Sequence, residues 1–562
     1  EMLRSLVGSE MCIRDRINTM KKIKVSDYII QELANLGIKN IFGVPGDYNF
    51  NIIDSVENNP KVKWIGSTNE LNGGYAADGY ARLNGYGAVI TTYGVGELSA
   101  INAIAGCFAE NIPVVMLVGI PSTKHIEQKS IIHHNFAPPD YCNFAEMYSK
   151  VTAKAAYITK DSNIKEEIDS CIKTLISTKK PVYIAIPKDI CNWEIDNNPL
   201  QHINTSSQDA LIEAGNKILE FIETSSNPII ITDSLIKRFN AEYEAERFIN
   251  KSNIQFCSFL MGKGIIDESH KNYLGTFLGK TLSKDILDSL NISDCVISIG
   301  TIYCDFNTFN APLDFNPDNM INIQGNYVII KNQKFENVFM KDLLKYLSDS
   351  IKKQKSRKAP QIQGYKPSSI TKIENLNSKY LYTRIQEFLK PNDIFICDTG
   401  IALFGTAPMK FPDKFRFENQ FFWASIGWGT PAALGISLAK TYRRTILLTG
   451  EGAHQLTMQE ISNIIAHNLH PVIIVINNSG YTIERMLSKN PKDDYNNINE
   501  WDYSKLPSIF GKNVFAGQAK TNKEFDDLLK LAETEQKTKM CYIEVFTDKL
   551  DIPEFAKIKF KK

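Results

Sequence analysis

The segment TILLTGEGAHQLTMQEISNIIAHNLHPVIIVINNSGYTIE, Thr445 to Glu484, places one carboxylate, Glu451, in a Gly-Glu-Gly turn and follows it downstream with Asn477, Asn478, Ser479 and Gly480. A carboxylate, an Asn amide oxygen and a backbone carbonyl are hard oxygen ligands. As a set, Glu451, Asn478 and the Gly480 carbonyl suit Mg²⁺ and leave positions for two diphosphate oxygens and a water. The runs TILLTG and PVIIVIN are apolar enough for buried strands, and Leu456, Ile461, Ile464 and Ile465 recur at helical spacing, so the segment reads as one β-α-β unit. Both strands of such a right-handed unit end at one sheet edge, where Glu451 and Asn478 meet, and the turn opens onto a helix N-terminus, which favours phosphate. Taken alone, the Gly-rich turn and the Asn-Asn-Ser-Gly stretch read equally well as two ordinary tight turns.

A second set of residues lies near the other end of the chain, in IFGVPGDYNFNIIDSV, STNELNGGYAADGYARLNG and TTYGVGELSAINAIAGCFAENIPVVMLVG. Together the two sets resemble the thiamine diphosphate-dependent enzymes: the first is similar to their Gly-Asp-Gly…Asn-Asn fingerprint, the second to their pyrimidine-binding half. The resemblance runs from about Lys21 to Lys549. It implies three α/β domains with parallel sheets flanked by helices, the pyrimidine and diphosphate domains standing around a central one. This order is that of the decarboxylase branch, not of the transketolases. The resemblance assigns Glu70 to N1′ of the aminopyrimidine, promoting the imino tautomer whose 4′-nitrogen takes the thiazolium C2 proton; that role calls for a carboxyl with a pKa raised in an apolar pocket. Asn69-Glu70 by itself also reads as a helix N-cap with an acid in the first turn.

Within the family, the non-oxidative decarboxylases of pyruvate, indolepyruvate and branched-chain 2-oxo acids carry an adjacent His pair, matched by His133 and His134 in KSIIHHNFAPPD. They also carry a Glu soon after the second metal ligand, matched by Glu484, and an Asp in the first Gly-rich loop, matched by Asp47. The implied reaction converts a 2-oxo acid to an aldehyde and CO₂ through a cofactor ylide and an enamine, so acids must stand beside C2. Asp47, His133, His134 and Glu484 are the expected proton relay, Glu484 nearest the substrate carboxylate. In FFWASIGWGTPAALG, Ile426 is the expected wedge between the cofactor rings and the Ala424 carbonyl the expected acceptor of its 4′-amino group. Thr399, Gly450, Gly452, Ala453 and Tyr481 complete the expected cofactor contacts, and Leu403, Phe404, Ile483 and Leu487 the substrate pocket. Several positions depart from the family pattern: Glu451 replaces an Asp, Ala453 a phosphate-contacting Ser, Ile401 a Thr, and Ser488, Lys489 and Asn490 after Leu487 a frequent His-Gly. Two competing readings keep the cofactor, a carboligase similar to acetohydroxyacid synthases and a non-catalytic paralogue; His133, His134 and Glu484 weigh against the first, an intact Glu70 against the second.

The elements that must position these groups recur along the chain. Short β-branched runs beginning at Ala88, Pro113, Pro181, Pro228, Cys295, Asp393, Thr445, Pro471 and Tyr542 alternate with helical patterns, which argues for parallel sheets covered by helices. Polar stretches near Asp196 to Asp209 and from Lys352 to about Lys379 are linker candidates. The expected division is an extraneous leader over residues 1–19, with Met20 a plausible start, a pyrimidine-binding domain over 20–200, a central domain over 201–355, a linker over 356–379 and a diphosphate-binding domain over 380–562. At 562 residues the chain exceeds what one core supports. The balance of 64 Lys and Arg against 63 Asp and Glu gives no field to draw it onto nucleic acid or an anionic membrane. Ten scattered cysteines without a CxxC pair, no apolar run of spanning length and no secretion signal suggest the cytoplasm. The family further implies a homo-oligomer, at least a dimer and commonly a tetramer, with the cofactor between subunits.

Overall fold

The structure, a computed structural model, describes residues 22–201, 205–308, 316–355, 364–366, 369–370 and 372–560. The expected leader, the Met20 start and much of the expected 356–379 linker lie outside the described residues. Three main sheets follow one another along the chain, with helices on their faces. The first is six-stranded and parallel, in the order Lys63–Gly66, Asn40–Gly43, Gly87–Thr92, Val114–Ile120, Val182–Pro187, Lys154–Tyr157. The third is also six-stranded and parallel, in the order Arg416–Asn419, Ile394–Cys397, Thr445–Gly450, Val472–Asn477, Met540–Phe546, Val514–Ala519. Counted within each sheet, both follow the spatial order 2-1-3-4-6-5. Between them the middle sheet has seven strands, parallel except for the hairpin strands Tyr327–Ile330 and Gln333–Glu336 at one edge. The alternating pattern of the sequence is therefore an α/β fold of three sheets.

The strands legible in the sequence are those buried on both faces: Gly87–Thr92, Val114–Ile120, Val182–Pro187 and Val472–Asn477 are buried at every position. The short or polar strands, among them Arg416–Asn419 and Val514–Ala519 at the edges of the third sheet, carry no such apolar run and are not among those the sequence predicts. The expected helix after Glu451 is also interrupted. An α-helix over Glu451–Thr457 gives way to a 3₁₀ turn over Met458–Glu460 before helix Ile461–Ala466. That break shifts the helical phase, so Ile461 and Ile464 are buried as expected whereas Leu456 is 50 % exposed.

Helix Glu70–Asn84 joins the first unit to the third. Asn69 caps it by accepting the Asn72 N–H, and Gly85 ends it at φ +96°. It packs on helix Gly429–Ala439 at backbone distance: a Cβ on Gly435 would lie 1.9 Å from the Ala76 carbonyl oxygen, and one on Gly79 2.5 Å from that of Ala432. At the start of the same helix, Thr68 Oγ1 and Asn72 Nδ2 donate to Glu460 Oε2 at 2.6 and 3.0 Å. A buried ion cluster ties in the middle unit, with Glu418 facing Arg416, Lys237, Arg238 and Arg82 at 2.7, 3.3, 3.4 and 3.7 Å. Desolvation alone would raise the Glu418 pKa, but these cations hold it well below the usual carboxylate range. Among the described residues no helix is long and apolar enough to cross a membrane.

Candidate active site

In open parallel sheets, ligands bind at the carboxyl ends of the strands. In the first sheet, Asp47 follows Asn40–Gly43, Glu70 follows Lys63–Gly66, Gly94 and Gly96 follow Gly87–Thr92, and His133 and His134 follow Val114–Ile120. In the third, Thr399 follows Ile394–Cys397, Ala424 and Ile426 follow Arg416–Asn419, Glu451 follows Thr445–Gly450, and Asn478, Gly480 and Glu484 follow Val472–Asn477. Because the strand order is shared, each sheet presents its chemical groups on corresponding loops.

At the third sheet, Glu451 is 2 % exposed, and its Oε1 accepts the backbone N–H groups of Asn478 at 3.0 Å and Gly480 at 2.8 Å. The Asn478 amide tip lies 3.2 Å from Glu451 Oε1 and 2.8 Å from the Gly480 carbonyl oxygen. With its nitrogen turned inward the amide donates to these acceptors; with its oxygen inward, three oxygens converge with no proton among them, an arrangement that a cation satisfies. Mg²⁺–O bonds of about 2.0–2.1 Å give octahedral edges of about 2.9 Å, so these separations fit Mg²⁺. Burial pushes the Glu451 pKa up to about 7, against the opposing pull of the Gly480 and Asn478 amides and of Arg485. Ser479 at φ +59° and Gly480 at φ +145° turn the chain so that both amides face the carboxylate; a Cβ on Gly480 would meet the Asn496 carbonyl oxygen at 2.1 Å.

Beside this cluster is a cleft lined by Thr399, Gly400, Ile401, Ala402, Ile426, Gly450, Glu451, Gly452, Ala453, Ile476, Asn478, Gly480, Tyr481, Thr482 and Ile483. The structure thus brings together most of the residues expected to hold the cofactor. The Tyr481 ring covers Gly452, where a Cβ would approach it to 2.4 Å. Ala424 stands on the same loop as Ile426 at φ +56°, a left-handed conformation costing a residue with a Cβ about 1–2 kcal/mol, which orients its peptide away from the regular path. The expected substrate-pocket residues scatter. Ile483 lines the cleft, but Leu403 is fully buried in the core, Phe404 packs edge-on against Phe421 at 5.8 Å, and Leu487 is 60 % exposed. Glu484 lies within the short helix Thr482–Leu487.

At the first sheet, Glu70 is the first residue of its helix and is partly exposed within the single chain, so the apolar enclosure expected for it is not built by this chain alone. The capping reading of Asn69-Glu70 also holds: the helix start is what aims the carboxylate, whose Oε1 lies 3.3 Å from where a Cβ on Gly96 would stand. Asp47, His133 and His134 come together. His133 Nε2 lies 3.3 and 3.2 Å from the two Asp47 oxygens, and its ring stacks on Tyr48 at 4.9 Å with Nδ1 3.3 Å from the Tyr48 hydroxyl. His134 sits at φ +67°, its ring edge-on to His133 at 4.6 Å, and its carbonyl occupies the space a side chain on Gly94 would need.

Three buried charged residues that position these groups escaped the sequence reading. Asp398 accepts from the backbone N–H of Thr399 and Gly429 and from Thr449 Oγ1, linking three cofactor-side loops, and burial pushes its pKa up to about 6. Glu97 accepts the Gly94 N–H and the Tyr183 hydroxyl, and burial pushes it to about 7. Arg485 is 1 % exposed and donates to the Ser479 and Pro491 carbonyls and to Asn497 Oδ1, bracing the turn beneath Glu451. Their only signal in the sequence is a charge within an apolar stretch.

Three family models match the chain in succession: the thiamine pyrophosphate enzyme N-terminal TPP binding domain over residues 23–155, the central domain over 216–346, and the C-terminal TPP binding domain over 399–545. The chain is 33 % identical over 556 residues to a pyruvate decarboxylase of Candida glabrata, covering 95 % of this chain and 97 % of that protein. It is 34 % identical over 558 residues to one of Aspergillus fumigatus, covering 96 % of each chain. With pyruvate decarboxylase isozyme 1 of Saccharomyces cerevisiae it shares 32 % identity over 557 residues, 95 % of this chain and 97 % of that one.

Proposed function

This chain belongs to the thiamine pyrophosphate enzymes, among their 2-oxo acid decarboxylases, and from that premise we propose how its residues carry the reaction. Glu451, the Asn478 amide oxygen and the Gly480 carbonyl would hold Mg²⁺ and with it the diphosphate; the closeness of the Asn478 amide tip to both Glu451 Oε1 and the Gly480 carbonyl oxygen is the observation that carries the reading. Ile426 and the Ala424 carbonyl, on the loop after Arg416–Asn419, would shape the cofactor, and Glu70 would hold a proton at N1′ of the pyrimidine. When bound, the cofactor supplies a nucleophilic carbon for the 2-oxo group and accepts the electrons left as CO₂ departs. His133, His134, Asp47 and Glu484 move protons to the product carbon and from its hydroxyl, and Ile483 contributes an apolar wall beside the substrate. The residues that would hold thiamine pyrophosphate thus stand on both sheets. Glu70 is partly exposed in one chain, and apolar side chains are exposed on both halves, Val95 beside the Gly94 turn and Leu456 in the helix after Glu451. A second copy covering them would complete the site, so the enzyme works as a dimer or a tetramer built from dimers.

Pyruvate, the acid named for its relatives, is the proposed substrate. The test is aldehyde and CO₂ formation from pyruvate, branched-chain and aromatic 2-oxo acids, with and without Mg²⁺ and thiamine pyrophosphate. Acetaldehyde formed only with both present supports the reading; no aldehyde from any acid overturns it.

A further inference from the structure

We propose that Asp47, His133 and His134 form a second cation site, one for a borderline transition metal of the Zn²⁺ type, separate from the hard-oxygen site at Glu451. Each of the three side chains offers a ligand atom, and these atoms all lie within 4.8 Å of one another. A tetrahedral Zn²⁺ site with bonds of about 2.0–2.1 Å has edges of about 3.3 Å. His133 Nε2 and the Asp47 oxygens already stand at that spacing, 3.2 and 3.3 Å apart, and the His134 ligand atom lies within 4.8 Å of them.

The support around the ligands is that of a metal-binding histidine. A ligating imidazole has its other nitrogen fixed by a hydrogen-bond partner, which sets the tautomer and the ring plane. Here the Tyr48 hydroxyl stands 3.3 Å from His133 Nδ1, and Tyr48 is itself buried, with its ring stacked on that of His133. Among the described residues, His134 Nδ1 is buried and has no hydrogen-bond partner. The left-handed backbone of His134 holds its ring against His133. The His133 and Asp47 side chains are 56 % and 46 % exposed, which leaves an entry path.

Imidazole nitrogen with one carboxylate selects Zn²⁺, Co²⁺ or Cu²⁺ over Mg²⁺, whereas the all-oxygen set at Glu451 has the opposite preference. Three protein ligands leave a fourth tetrahedral position for water or for the carboxylate of a 2-oxo acid. The consequence for activity rests on the proton-relay reading above: a metallated imidazole cannot carry a proton, so the ion inhibits.

The experiment uses the full chain saturated with Mg²⁺ and thiamine pyrophosphate. Zn²⁺ is titrated by calorimetry and Co²⁺ by its visible ligand-field absorption, both independent of turnover. One equivalent per chain is expected, with the band intensity of a four-coordinate site. Asp47→Asn and His134→Asn should each weaken Zn²⁺ binding at least tenfold, while Cys142→Ser, which removes an exposed thiol, leaves it unchanged. Circular dichroism and melting of each variant establish that it is folded. Absence of stoichiometric binding in the wild type, or unchanged affinity in folded Asp47 and His134 variants, overturns the proposal. If the metal binds as expected but the zinc-free enzyme decarboxylates no 2-oxo acid, the site stands and the relay reading fails.

Discussion

Replacing Glu451 with Gln separates what this carboxylate does for the empty protein from what it does for the cofactor. Its pKa rises from 4.5 to about 7, chiefly by burial. At 1.36 kcal/mol per unit, holding it ionised at pH 8 costs the cofactor-free fold roughly 3 kcal/mol. A raised carboxyl pKa contributes stability that is full below the unfolded value and is lost as pH rises through the folded one. The wild-type apoprotein should therefore lose up to this amount between about pH 4.5 and pH 7, and Glu451→Gln should lack that part of the slope. The amide keeps an oxygen for the Asn478 and Gly480 N–H groups, so the variant stripped of metal and cofactor should be as stable as wild type at pH 5 and more stable at pH 8. Mg²⁺ affinity should move the other way. Changes one shell out from a metal already cost about 10–100-fold, so loss of a charged ligand should cost at least about 100-fold. Thermal unfolding at the two pH values, with and without Mg²⁺ and thiamine pyrophosphate, reads both effects. An apo variant destabilised by several kcal/mol at pH 8, with Mg²⁺ binding intact, would show that Glu451 is a structural acceptor and refute the reasoning.

Three further outcomes are expected. His134→Ala should lower steady-state aldehyde formation by about 10²–10⁴ while thiamine pyrophosphate binding, followed by fluorescence, survives; wild-type turnover would remove His134 from the relay. Gly435→Ala would set a methyl group 1.9 Å from the Ala76 carbonyl oxygen, so the paired helices must part, at about 1–3 kcal/mol, seen as a lower melting temperature. Glu418→Gln leaves four cations, three of them buried, short of their shared carboxylate and should cost about 3–5 kcal/mol in denaturant unfolding; an unchanged midpoint would mean the cluster does not hold the three units together.

Much of this molecule was legible from residue order. Strands such as Val114–Ile120 and Val472–Asn477 announce themselves because both faces are buried and the whole run must be apolar. The motifs around Glu70 and Glu451 are local, so their residue types and spacing survive in one dimension. Edge strands such as Arg416–Asn419 were not legible, because their pairing partner rather than their own pattern makes them strands. Leu456 shares the helical stripe of Ile461 and Ile464, yet a single 3₁₀ turn sends it to the surface. Leu403, expected beside the substrate, is fully buried in this chain.

The sequence by itself determined which chemical groups end the strands: carboxylates at 47, 70 and 451, imidazoles at 133 and 134, and an amide at 478. Only the tertiary structure decided which of them touch. The convergence of Asn478, Gly480 and Glu451, the stacking of His133 on Tyr48, and the bracing of the Ser479 turn by Arg485 depend on ångström-scale placement. Periodicity encodes the face on which a residue lies, whereas distances across the fold come from how whole elements pack.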